Sequence, residues 1–269
     1  MNFGHRIRVQ VTGSRRVTVE CIDGDGPTIR VKLQRGGQSK GDKAQVTIYG
    51  LDEGFLEPLL IPGATCTVSA GLGQLGGLTS GRIVKGSYAE TMEGTDRVVS
   101  WSMLDGRAVL QAVTVSRSWD SVDSETVWRY LAAESGLVIG TLRPGATVQF
   151  DRGYMVASGW RAAADKLAKA TRSSHTVQSG VLHIWPTGET LQARRLVLGD
   201  RQIVGDPATI DGKRIKVTTV YTGQPCNPGD TWRMDIPRFA GVWRSQATEW
   251  DLSSGRDEAF YMTMTGVRT

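Results

Sequence analysis

Ile29-Arg30-Val31-Lys32-Leu33 and Ala44-Gln45-Val46-Thr47-Ile48 place an apolar residue at every second position, with a charged or polar residue between. Successive side chains of a strand point to opposite faces, so each run lays its apolar set on one face of a half-buried sheet. The stretch between them, residues 35–42, is polar and glycine-rich and reads as a loop. The same alternation continues on both sides. Upstream, Ile7, Val9 and Val11 alternate through residues 6–12. A Gly13-Ser14 turn then leads into Val17, Val19 and Cys21, and Asp23-Gly24-Asp25-Gly26-Pro27 makes a second turn. Downstream, residues 52–60 suit a short helical turn, and strands are expected at 64–70, 82–90 and 96–103. Gly71-Leu72-Gly73-Gln74-Leu75-Gly76-Gly77 reads as too flexible for a regular strand. Short strands at roughly ten-residue spacing, separated by turns, describe a β-barrel or sandwich.

The period changes after residue 115. Ser121-Val122-Asp123-Ser124 offers N-cap residues, and Val127, Tyr130 and Leu131 follow at i, i+3 and i+4 before Gly136, so a helix is expected over 125–135. A second helix is expected after Ser158, where Trp160, Ala163, Ala164, Leu167 and Ala168 share one face. On its polar side Asp165 precedes Lys169 in the favourable i, i+4 order. Thr176–Trp185 reads as a hairpin turning at Ser179-Gly180, and strands return at 196–198, 214–221, 231–236, 241–249 and 258–264. The expected fold class is mainly β with an α+β insertion. Residues 1–115 form an N-terminal β-barrel-like domain, 116–190 an insertion carrying two helices, and 191–269 a second β-barrel-like domain.

Composition narrows the function. Of 269 residues 33 are glycine, about 12% against an average near 7%, which suits many turns. The net charge is +5, and its cations are scattered, including the doublets Arg15-Arg16, Arg194-Arg195 and Lys213-Arg214. Nucleic-acid-binding domains concentrate basic residues in a patch or stripe, so sequence-specific binding is not expected. No apolar run reaches the roughly 18 residues of a membrane-spanning helix. The N-terminus lacks the apolar centre of a signal peptide, so cytoplasmic synthesis without export, and no membrane anchor, is expected. Cys21, Cys66 and Cys226 are far apart and odd in number, and read as buried small hydrophobes.

The residues that carry chemistry do not converge in sequence. His5, His175 and His183 show no HxH or HExxH spacing, so neither a metal site nor a catalytic base is assigned. Gly71-x-Gly73-x-x-Gly76 matches a dinucleotide fingerprint in letters only, because Gly77-Leu78-Thr79-Ser80-Gly81 cannot open the helix that the fingerprint needs. Asp23 with Asp25, Asp52 with Glu53, and Asp257 with Glu258 are the carboxylate pairs that a glycan hydrolase could use, but all lie in turn-like or exposed contexts. The loop from Asp23 has Gln34 where a calcium loop needs glutamate. No catalytic, cofactor-binding or metal residue is expected. Eight tryptophans are present. Trp160 falls on a helix's apolar face, whereas Trp128 lies off the centre line of its helix and suits either the core or a subunit interface.

In order, these segments resemble the bacteriophage tail baseplate hub family. Residues 28–51 match its strand, polar loop and "a-x-I-x-I-y-N-L" strand, with Gly50 where the family commonly has Asn. Residues 124–137 are similar to its short helix ending in Gly-Leu, and residues 159–185 to its next helix and a "v-x-x-G-x-L-x-I" hairpin. Gly205-Asp206-Pro207, Ile215–Thr218, Asn227–Asp230 and Gly241–Arg244 resemble its late strands and closing hairpin. The resemblance implies two related β-barrel domains with an α+β insertion, assembled as a homotrimeric ring at the tail tip. It implies a non-enzymatic structural hub that joins the tail tube protein to the central spike protein and engages the tape-measure protein. Such a hub is assembled in the host bacterial cytoplasm and located in the virion. A different tail component, such as a tube or distal-tail protein, is the nearest alternative, although two helices argue against a simple tube protein. A cell-wall hydrolase and a nucleic-acid-binding β protein are the remaining ones.

Overall fold

The computed structural model describes residues 4–36, 43–51, 55, 57–104, 110, 113–178, 180–191, 196–255 and 258–269. Asp52, Glu53, Ser179, Arg194, Arg195 and Asp257, all named above, and most of the loop 35–42 lie outside the described residues. The chain is mainly β and forms two compact units. Unit 1 joins Met1–Leu104 to Ala193–Thr269, and unit 2 is Asp105–Gln192.

With elements numbered along the chain, the first segment of unit 1 supplies β1 (His5–Thr12), β2 (Arg16–Ile22), β3 (Ile29–Arg35), β4 (Lys43–Tyr49), a helical turn α1 (Glu57–Leu60), β5 (Thr65–Leu72), β6 (Gly76–Ile83), β7 (Ala89–Glu93) and β8 (Asp96–Leu104). The last segment supplies β16 (Leu196–Leu198), β17 (Ala208–Ile210), β18 (Arg214–Val220), β19 (Thr231–Met234), β20 (Gly241–Ser253) and β21 (Phe260–Arg268). All fourteen strands belong to one sheet, whose main path runs β17-β18-β21-β20-β3-β4-β8-β6-β5-β1-β2. β7 pairs with the first half of β8, and β16 pairs with β19, which pairs with the start of β20.

The period of two in the sequence becomes burial directly. Along β3 the residues alternate buried and exposed, with Ile29, Val31 and Leu33 inward. They join Val46, Ile48, Trp101, Trp250 and Leu252 in one core. Each such side chain contributes on the order of 1.5–3 kcal/mol by leaving water. The strand period ends on Arg35, an inward position held by a cation that is 4% exposed. Its guanidinium donates to Asn227 Oδ1 and to the Leu78 carbonyl at 2.6 Å, and lies 5.4 Å from the Trp250 ring. The Asn227 amide donates in turn to the Asp230 carboxylate at 2.9 Å.

Unit 2 contains α2 (Ser124–Glu134) and α3 (Trp160–Ala170), with β9 (Thr114–Trp119), β10 (Val122–Asp123), β11 (Val138–Leu142), β12 (Gln149–Phe150), β13 (Tyr154–Gly159), β14 (Ser173–Gln178) and β15 (Val181–Pro186). β9 pairs with β13, β10 with β12, and β15 lies between β14 and β11, which it meets in parallel. Among the candidate caps Ser121, Asp123 and Ser124, the structure uses Asp123, whose carboxylate accepts from the Thr126 hydroxyl and backbone amide. Those two bonds hold it below the usual carboxylate range. Gly136 ends the helix at φ +66°, in the left-handed region open to glycine. Trp160 Nε1 donates to the Leu131 carbonyl at 2.7 Å and ties α3 to α2. Asp165 lies 3.8 Å from Arg161 and 3.6 Å from His175, rather than turning to the expected Lys169.

Three expectations change. The stretches 1–115 and 191–269, expected as separate domains, share one sheet and one core, and the insertion spans 105–192. A local period carries no information on which distant strands will pair. The strand expected at 82–90 is two strands, β6 and β7, with a turn between them. The glycine run 71–77 is ordered: β5 continues through Gly71 and β6 begins at Gly76. A Cβ on Gly71 would overlap the Gln74 carbonyl, and one on Gly76 would overlap the Gly223 carbonyl. These glycines therefore let a hairpin of the first segment approach a loop of the last, backbone to backbone. Gly77, next in the chain, has nothing within 4 Å of its Cβ position. We expect Gly76→Ala to lower the stability of unit 1 by about 2–3 kcal/mol, while Gly77→Ala stays within about 0.5 kcal/mol of wild type, as read from denaturant midpoints.

Candidate functional site

The described candidate residues are dispersed into structural roles. His5 stacks on Phe260 in unit 1 with ring centroids 4.4 Å apart. In unit 2, His175 pairs across the hairpin with Ile184, and His183 with Thr176. Being one row apart, the two imidazoles face opposite sides of the ribbon. His175 is buried, with ring centroids 5.7 Å from Trp128 and 6.2 Å from Trp160. His183 Nδ1 lies 3.1 Å from Thr141 Oγ1, and burial pushes its pKa below the usual histidine value. Asp23 and Asp25 form a tight turn closed by Ile22–Asp25 backbone bonds, and Gln34 lies in β3. Glu258 accepts from Arg30 at 3.1 Å and from the Ser253 hydroxyl, which keep it ionised by lowering its pKa. The three cysteines are free and buried, and burial pushes the Cys66 thiol up to about 12. Such a thiol is a poor nucleophile. Among the described residues no group of three His, Cys, Asp or Glu side chains could hold a metal ion.

Trp128 is 0% exposed within the single chain and packs in the unit 2 core beside Val127, Leu131 and Trp160. The core reading therefore holds for Trp128, and the interface reading does not. The stripe alone left both readings open; His175 of β14, with ring centroids 5.7 Å from the indole, helps to enclose it. The tryptophan that does reach the surface of unit 2 is Trp119, half-buried, edge-on to Tyr130 at 5.1 Å, with Arg117 5.1 Å above its ring.

Unit 1 carries a groove of about 700 Å³ on the polar face of the sheet where β3 and β4 meet β8, β20 and β21. Lys32, Gln34, Lys43, Gln45, Glu249 and Asp251 line it. Lys32 Nζ is 4.0 Å from Asp251, and Gln34 Nε2 is 3.5 Å from Glu249. Glycoside hydrolysis needs one carboxyl kept protonated in an apolar pocket beside an ionised partner. Here both carboxylates are exposed beside polar or cationic neighbours. The arrangement offers a solvated, mixed-charge wall and not an acid–base pair.

No protein-family model and no curated protein matches the sequence. Solved structures do match its fold. The 43 kDa tail protein of prophage MuSo2 from Shewanella oneidensis is similar over 97% of this chain and 98% of its own, with TM-score 0.68 and 12% identity. A tail protein from Neisseria meningitidis MC58 is similar over 99% and 97%, with TM-score 0.65 and 14% identity. The E. coli c3393 protein, a type VI secretion system component with structural similarity to the T4 bacteriophage tail proteins gp27 and gp5, is similar over 90% of this chain and 73% of its own, with TM-score 0.62 and 10% identity.

Two measurements test the roles given to buried residues here. Trp128→Ala should cost about 3–5 kcal/mol of unit 2 stability and leave the mass of any oligomer unchanged, as read by calorimetry and light scattering. His183 has a lowered folded pKa, so its contribution is present above the unfolded value near 6.5 and is lost as pH falls through the folded one. Wild type should therefore lose stability relative to His183→Gln as pH drops from 7 to 5, and parallel curves would refute that assignment. The chain carries the fold of phage tail proteins, as the order of its sequence segments implies.

Proposed function

We propose that this chain is the structural hub of a phage tail baseplate or tail tip. Three copies form a ring that joins the tail tube to the central spike and engages the tape-measure protein. In this reading the two segments of unit 1 are the two related barrel-like halves, and unit 2 is the α+β insertion between them. The hub acts by shape and self-association, and makes or breaks no covalent bond. It is assembled in the host cytoplasm and carried in the virion. The observation that carries the reading is the end-to-end likeness to tail proteins, which spans at least 97% of both chains in two cases. Dispersal of the candidate catalytic side chains into turns, ion pairs and cores supports it. So does the sheet of unit 1, whose path ends in β2 and β17, each with an outer edge that pairs with no other described strand, since closed rings need complementary surfaces.

Negative-stain images and mass measurement of the purified chain should show threefold rings of about 90 kDa, three times the 29.2 kDa chain. Labelling should place the chain at the tip of the tail. A monomer that clears a peptidoglycan suspension would replace this reading with that of a hydrolase.

A further inference from the structure

Ala89–Asp96 are eight consecutive exposed residues, forming the outer strand and tip of the β7–β8 hairpin. Every other described strand of unit 1 with five or more residues buries at least one side chain, whereas all five residues of β7 are exposed. Ala89–Thr91 pair with β8 residues that β4 also pairs and whose Val98 and Val99 are buried, so only the tip from Met92 to Arg97 leaves the sheet as a two-stranded ribbon, a form that is marginal in water. The arm carries Met92, 64% exposed, and the acids Glu90, Glu93 and Asp96. Glu90 is engaged by Arg97 at 3.1 Å and by the Tyr88 hydroxyl at 2.9 Å. Glu93 and Asp96 are directly opposite in the ladder and form no ion pair among the described residues. Arg30, the chain's own cation within electrostatic reach of Glu93, is bound to Glu258, and like charges placed opposite are destabilising, so a further cation would relieve the tip.

A surface with the complementary character lies on the same unit. Across β16, β19 and β20 the register aligns Val197, Arg233 and Val242 in one row, with the valines 42% and 44% exposed. The row beside it aligns Arg244, Val267 and Arg214 across β20, β21 and β18. Arg233 and Arg214 hold Asp235 and Asp211, whereas the neighbouring Lys216 forms no ion pair among the described residues. Valines among cations thus face outward at one place, and a methionine among carboxylates at another. Ile22, the exposed apolar residue of β2, has no such apolar neighbour in its row, which pairs it with Arg6.

Arm and face cannot meet within one chain. Ser253 at the end of β20 aligns through Arg30 and Thr47 with Ser100 and Ala89, and the arm extends onward from there. Val242 lies eleven residues back along β20, about 36 Å at the usual rise per residue. A surface at one end of a subunit that fits a different surface at the other makes a head-to-tail contact, which closes into a ring when the rotation allows.

We propose that the β7–β8 arm of one copy docks on the next copy's valine–arginine face, Met92 against Val197 and Val242, with Glu93 and Asp96 reaching its cations. This rests on the ring reading above and assigns the surfaces that close it. The test uses the full chain carrying Met92→Cys and Val242→Cys, the native cysteines being buried. Oxidation should yield covalent dimers and trimers on a non-reducing gel, while Met92→Cys with Ile22→Cys should not. Glu93→Arg with Asp96→Arg should weaken association at least about tenfold, and adding Arg233→Glu and Arg244→Glu should recover much of it. A wild-type trimer with no such cross-link and an unaffected charge-reversed variant would overturn the docking proposal and leave the ring standing. A wild type that stays monomeric at high concentration would overturn both.

Discussion

The antiparallel ladder between β3 and β20 is the constraint on which unit 1 depends. Six residues of each strand align, from Arg35 opposite Thr248 to Arg30 opposite Ser253. Around it, Ser254 Oγ accepts from the Ile29 amide at 2.8 Å, and Arg35 reaches Asn227. The backbone of Gly223 lies where side chains on Gly71 or Gly76 would stand. Each of these contacts joins the first segment to the last. Without them the sheet divides into two open pieces with exposed edges and a core cut through the middle. The buried guanidinium is the costliest member. It tolerates burial because three separate elements present it with a carbonyl, an amide oxygen and a ring face.

Unit 2 closes a core of its own. Its own core gathers Val127, Trp128, Leu131, Trp160, Leu167, Val177, Leu182 and Ile184. Its helices are closed by local means: Asp123 caps α2, while α3, with Gly159 at its N-cap, receives the Val113 carbonyl at its first amide. A segment that satisfies its own backbone and buries its own apolar faces can be inserted with little demand on the strands on either side.

Local features were readable in the sequence, and long-range ones were not. Alternation located β1 to β5 and β8 because strand period is a property of neighbouring residues. The i, i+3, i+4 stripes and the cap at Asp123 located both helices for the same reason. Order in the glycine run is not legible locally, because Gly76 is fixed by the carbonyl of Gly223, about 150 residues away. The fusion of two expected domains into one sheet was missed because register between β3 and β20 leaves no mark in either strand alone. At the candidate site, the described candidate residues lie dispersed, and the exposed β7 arm is not legible as a strand because it runs from the end of the strand expected at 82–90 across the gap before the one expected at 96–103. Its cue was present: Glu90, Glu93 and Asp96 around Met92, with no apolar alternation beneath them.

The long separation between β3 and β20 sets the order in which the molecule can be made. As the chain emerges from a ribosome, β3 is complete more than two hundred residues before its partner. At usual elongation speeds the interval is roughly 10–40 s. During that time the insertion can finish folding, while β3 waits with an open, apolar-backed edge. Nascent chains with such an edge are candidates for chaperone protection, and crowding many on one message favours pairing between the wrong copies.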